Sequence, residues 1–332
     1  MTLLPGCARA DVTRHWRPGP VLATAGYLAL VTALANASGI GYFLFPELAA
    51  LASVVFANPS GSWARSPLLL ALTPALTAVP GVLITRFLPY GPLAVVLDLV
   101  VCLLVIQALR SAVVPAISAG MLPLALGLTS WLYPVTILVG TGGLAVLVHL
   151  RRQLGEPAPA AAPTSPASPA SLQRHWLQRP WLQWHWLVPM TLFLAGALVL
   201  VQLLGSHLVL YPPLLVIAWE MLVQPDHCPW QGRTFSVLVV TGAAALLGFA
   251  LVQSLGVVPL ASFLTVLGTA LLLTLARLSF PPAFGLALLP FVIPSPPVSY
   301  PLLVLTGTAW LLLVVGLAQR LSRRRHQPEW EL

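Results

Sequence analysis

Apolar stretches about as long as a bilayer is thick recur from residue 20 to residue 318, and no other feature limits the fold of this chain so tightly. Hydrophobic residues make up 58% of the 332 positions, charged residues only 7%, and the mean hydropathy is +0.91. A water-soluble core of this length would carry far more surface charge, so lipid is the expected solvent. Full spans are expected near residues 20–38, 68–88, 92–109 and 131–150, and again near 187–205, 236–255, 258–277 and 298–318. Shorter proline-bearing stretches at 41–57, 112–127, 208–223 and 280–294 read as broken or re-entrant half-helices. Irregular backbone at membrane depth is tolerated only where protein or a water-filled cavity covers it, so these stretches should line something. The fold class that follows is an all-α polytopic membrane protein.

Residues 92–150 match residues 259–317 without a gap at a constant spacing of 167. Aliphatic coincidences mean little in this composition, but Pro92 pairs with Pro259, Arg110 with Arg277, Pro115 with Pro282, Pro123 with Pro290, Tyr133 with Tyr300 and Gly140 with Gly307. Upstream, Pro46 pairs with Pro212 and Pro59 with Pro225 at a spacing of 166. A match of this period decides architecture. The chain reads as two tandem membrane repeats, residues 20–152 and 186–319, each with about four transmembrane helices plus two short ones. Residues 153–185 form a Pro/Ala/Ser-rich linker that ends in an interfacial Trp/Arg segment.

All 16 basic side chains are arginine, and most cluster before the first span, in the linker and in the tail at 320–332. The positive-inside rule places all three clusters in the cytoplasm, together with residues 1–19, which lack the apolar core of a cleaved signal. An even number of crossings per half then makes the repeats parallel, related by an axis along the membrane normal. Four crossings per half is the preferred count. Six would bring Arg65, Arg110, Arg233 and Arg277 inside, at the cost of making short proline-broken stretches cross. Because the arginines flank apolar spans and no separate basic domain exists, nucleic acid is not an expected partner.

The clearest chemistry lies where an arginine meets the start of a half-helix, in Arg110-Ser-Ala-Val-Val-Pro-Ala and Arg277-Leu-Ser-Phe-Pro-Pro-Ala. Proline suits the first helical turn, so Pro115 and the pair Pro281 and Pro282 should open helices whose free N–H groups and dipole attract anions. A guanidinium beside them reinforces that field. Snorkelling at the interface would give the same arginines a purely structural role. Arg65 and Arg233 stand beside Ser66 and Thr234 in matching polar loops, and four matched arginines without a matched carboxylate would make an electropositive vestibule.

Other polar groups carry less. Glu47, Asp98 and Glu220 lie in apolar stretches, where a carboxylate is a functional candidate, yet none has an acidic partner in the other half. A salt bridge or helix–helix hydrogen bond is the expected role for Asp98. Cys7, Cys102 and Cys228 are too scattered for a disulfide framework, and no spacing fits a metal or cofactor site. No catalytic group is placed alike in both halves, which argues against an enzyme.

The segment from Phe45 through Pro59, then Arg65-Ser66, then Arg110 through Leu122, resembles the HPP family of small membrane proteins in content and order. In that likeness Phe280-Pro281-Pro282-Ala283 stands for the family's His-Pro-Pro motif with its histidine replaced, and Val114-Pro115-Ala116 keeps one proline. The family typically has four transmembrane helices in one unit and is associated with nitrite transport in plastids and cyanobacteria. The resemblance implies a bacterial or cyanobacterial inner-membrane transporter or channel for a small inorganic anion such as nitrite or nitrate. It also implies a pseudo-dimer within one chain, while the missing histidines remove whatever depended on that imidazole. The alternative is a membrane scaffold or assembly protein without transport.

Overall fold

A computed structural model describes residues 17–153, 186–225 and 228–325. Most of the expected linker, the N-terminal tail up to residue 16 and residues 326–332 lie outside the described residues. In the first half the helices are α1 (Pro18–Ser38), α2 (Glu47–Ala57), α3 (Ser62–Arg65), α4 (Pro67–Phe87), α5 (Pro92–Ala108), α6 (Ala116–Leu126) and α7 (Leu132–Gln153). The second half follows with α8 (Leu187–Leu204), α9 (Pro212–Leu222), α10 (Thr234–Leu255), α11 (Pro259–Leu275), α12 (Pro282–Leu288) and α13 (Tyr300–Arg325). Short 3₁₀ turns at Gly41–Phe43, His207–Leu210 and Leu289–Phe291 join them, and there is no strand among the described residues.

Punctuation in the sequence explains most boundaries. Proline occupies the first turn of α1, α4, α5, α9, α11 and α12, where its missing N–H costs no hydrogen bond. Gly39 and Gly205, with φ of 69° and 62°, close α1 and α8 in the left-handed conformation that side-chain-bearing residues avoid.

Among the described residues six helices, α1, α4, α7, α8, α10 and α13, are long and apolar enough to cross a membrane by length and composition. The third expected span of each half is shorter than the rest: α5 and α11 have 17 residues each, about 25 Å of helix against a hydrocarbon core of about 30 Å. Their ends are set by Pro92 and Pro259 on one side and by Arg110 and Arg277 on the other.

The short helices α2, α6, α9 and α12 are almost wholly apolar, with Glu47 and Glu220 as their charged residues, and are buried almost throughout. They form the centre of the molecule. There α12 packs on α2 and α9 on α6, so each short helix of one half is covered by one from the other. The long helices surround them and expose leucine, valine and phenylalanine outward, Phe87 being 77% and Leu203 75% exposed.

Close helix crossings recur at the same spacing. A Cβ on Gly81 in α4 would lie 2.0 Å from the Gly120 carbonyl oxygen in α6, and one on Gly248 in α10 would lie 1.8 Å from the Ala287 oxygen in α12. Buried Tyr133 donates its hydroxyl to the Ala119 carbonyl at 2.8 Å, and buried Tyr300 donates to the Leu286 carbonyl at 2.6 Å.

The hydrogen bonds also show which helix ends lie together, and they correct the placement that four crossings per half would give. The Arg152 guanidinium donates to the Pro59 carbonyl at 3.2 Å and to the Arg65 carbonyl, and Arg151 reaches the Phe56 carbonyl. The Trp63 indole donates to the Ala112 carbonyl at 2.7 Å, beside Arg110. Arg233 donates to the carbonyls of Ala276 and Arg277, while Arg320 shares a groove with Thr234. Arg65, Arg110, Arg151, Arg152, Arg233, Arg277 and Arg320 therefore stand at one end of the bundle. Arg86, which donates to the Thr129 carbonyl and stacks over Trp131, is at the other end. The short helices carry the chain between the two ends because protein, not lipid, covers them.

Candidate functional site: a cavity between the halves

The helix packing leaves a cavity of about 290 Å³ between the halves. From α2 come Glu47, Ala50 and Val54, spaced along one helical face, and from α9 come Pro213, Val216 and Glu220 on another. The helix starts add Pro115, Pro281 and Pro282, and Asn58, Trp63, Pro229 and Trp230 close the wall toward the arginine-rich end. A larger groove of about 500 Å³ between α10 and α13 lies on the outer face, beside the 78%-exposed Phe235, and opens outward.

Of the residues expected to form the site, Pro115, Pro281 and Pro282 do line this cavity. The four arginines do not. Arg65, Arg110, Arg233 and Arg277 are exposed at the same end of the molecule, outside the lining. The N–H groups expected to be free at the helix starts are engaged as well. Those of Ala116, Ile117 and Ser118 bond to the carbonyls of Val113, Val114 and Pro115, and those of Ala283 and Phe284 bond to Phe280 and Pro281. Tight turns satisfy these donors locally, so what remains at both starts is the dipole alone.

Arg110 and Arg277 hold a conformation that arginine rarely takes. Their φ values are +50° and +49°, each at the residue that ends α5 or α11. The Arg110 and Ser111 amides bond back to Gln107 and Ile106, and the Arg277 and Leu278 amides bond back to Thr274 and Leu273. This is the left-handed helix stop usually given to glycine, and keeping a side chain there costs roughly 1–2 kcal/mol. The chain places arginine there in both halves.

The structure places two of the three intramembrane carboxylates, Glu47 and Glu220, on the cavity. Glu47 is 3% exposed, and its carboxylate has only the Ser118 hydroxyl of α6 beside it as a side-chain donor among the described residues. The Trp230 indole N–H is without a partner among the described residues. Glu220 lines the same cavity from α9. The available signal was their place on the cavity-facing sides of α2 and α9, which becomes visible only once those helices are set against each other. Asp98 is different: it is buried outside the cavity, accepts the Cys102 thiol at 3.5 Å one helical turn away, and forms no salt bridge among the described residues.

No group of three or more His, Cys, Asp or Glu able to hold a metal occurs among the described residues. Comparison with known proteins gives no match, whether to a family model, a curated protein or a solved structure. The likeness to the HPP family therefore stands on the residues quoted above.

Proposed function

We propose that this chain is an integral membrane transporter that passes a small inorganic anion, of nitrite or nitrate size, through the cavity between its two halves. The observation that carries the reading is the arginine-rich end: Arg65, Arg110, Arg233 and Arg277, contributed equally by both halves, stand at the end of the molecule beyond the Asn58, Trp63, Pro229 and Trp230 wall of the cavity. Such a field raises the local concentration of anions at a pore mouth. The rarely used backbone conformation of Arg110 and Arg277 adds weight, because a residue kept against its own preference often serves a function. The repeated Tyr133 and Tyr300 bonds and the repeated Gly81 and Gly248 crossings support a pseudo-dimer of HPP-like repeats. The positive-inside rule puts the arginine-rich end in the cytoplasm.

The same conformation supplies a clean test. Arg110→Gly and Arg277→Gly remove the charge while relieving the backbone, so the fold is retained or made more stable. In liposomes carrying purified protein, nitrate and nitrite uptake should exceed that of empty vesicles and should fall about three- to thirty-fold in the double variant. Uptake that the double variant leaves unchanged would make these arginines interfacial anchors. No uptake by the wild-type protein would favour a scaffold role.

A further inference from the structure

We propose that Glu47 is the proton-carrying group of this transporter, taking up and releasing one proton in each cycle from within the cavity. The proposal rests on the reading of that cavity as the transport site, and it adds the coupling ion.

Glu47 begins α2 at the seam between the halves. A Cβ built on Gly285 would lie 3.7 Å from Glu47 Cγ and 3.6 Å from Pro213 Cγ, so a carboxylate in the first half meets a proline in the second across one glycine. Asp98, buried away from the cavity, accepts the Cys102 thiol on one oxygen only. Glu47 has only the neighbouring Ser118 hydroxyl as a side-chain donor among the described residues, and it faces the cavity.

No cation offsets its charge among the described residues. From α1 the nearest titratable group is Tyr27, whose hydroxyl is committed to the Gly140 carbonyl. The ring of Tyr133 comes from α7 and that of Tyr300 from α13, each with its hydroxyl committed to a backbone carbonyl. Ser118 of α6 stands beside Glu47, and Glu220 of α9 faces the same space. An ionised carboxylate with no counter-ion and a single hydroxyl beside it is costly in such surroundings and is relieved by taking a proton. Protonated, Glu47 can donate a hydrogen bond to an anion; ionised, it repels one. Binding of the anion and of the proton therefore favour each other. The step is a simple equilibrium: an O–H bond forms on one Glu47 oxygen as a proton arrives from one side and breaks as it leaves to the other.

The experiment uses the full chain in phosphatidylcholine and phosphatidylglycerol liposomes and has two readouts. The first is labelling by dicyclohexylcarbodiimide, which attacks protonated carboxyls in apolar surroundings, read by mass spectrometry between about pH 5 and pH 9. Glu47 should be labelled at the acid end and progressively less as pH rises, and Glu47→Asp should keep that behaviour. The second is nitrate uptake with and without an inward proton gradient. The gradient should raise uptake several-fold in the wild type and in Asp98→Asn, and the rise should vanish in Glu47→Gln. Glu47 labelling that is absent or constant with pH would overturn the proton role whatever nitrate does. Nitrate flux indifferent to the gradient and to Glu47→Gln would overturn the coupling and leave the anion reading standing. Titrating label without any nitrate flux would keep the proton site and remove the anion.

Discussion

Gly81 and Gly248 show how a single residue can set the spacing of a membrane-type core. Each lets a long helix touch the backbone of a buried short one, where any added carbon would overlap a carbonyl oxygen. Small residues at such crossings replace the hydrophobic drive that lipid cannot supply between helices. Gly81→Ala and Gly248→Ala should each destabilise the protein by about 1–3 kcal/mol through overpacking, read as a lower unfolding temperature in detergent. Gly142→Ala is the control. Nothing lies within 4 Å of a Cβ there, so better helix propensity should leave stability unchanged or raised by up to about 1 kcal/mol. Equal losses at all three sites would mean that the crossings at Gly81 and Gly248 are not close.

Among the elements, the 3₁₀ turn at His207–Leu210 joins the halves at the end away from most arginines. The His207 ring stacks on Tyr90, between α4 and α5, at 3.7 Å with an interplanar angle of 10°. Burial holds the imidazole below its ordinary range, against a smaller opposing effect of a hydrogen bond to the Ala125 backbone. A depressed histidine pKa means that the fold prefers the neutral ring. Its contribution is present above the unfolded value of about 6.5 and is lost as pH falls through the lower folded value. The unfolding temperature of the wild type should therefore drop further on acidification below about pH 6.5 than that of His207→Phe, which keeps the stack without the titration. Identical pH profiles would show that this contact bears no charge penalty.

Across the whole molecule, the grouping of arginines at one end predicts accessibility. With Cys7 replaced by serine, Cys102 and Cys228 are buried and leave a quiet background. Ser66→Cys, beside Arg65, should react with an impermeant maleimide from the cytoplasmic side alone. Thr129→Cys and Ser254→Cys, at the opposite end, should react from the other side. Labelling of positions 66 and 129 from one side would break the assignment of ends on which the vestibule depends.

How much of this was legible beforehand follows from what a linear pattern can report. Apolar runs record the solvent of a helix, and prolines and glycines record its ends, both of them local properties. The helical class, most boundaries and the prolines that line the cavity could be read in that way. Three things could not. The short helices cross between ends because partners from the other half cover them, α12 on α2 and α9 on α6, and such partners lie far away in sequence. The tight turns after Val113 and Phe280 satisfy amides that a helix start would otherwise leave free. Glu47 and Glu220, which lie far apart in sequence, share one cavity because α2 and α9 turn toward the same seam. Residue type and spacing determined that this chain is a bundle of apolar helices. Which charges meet in its centre was decided by packing, since only contact between distant segments sets which face of a uniformly apolar helix is inward.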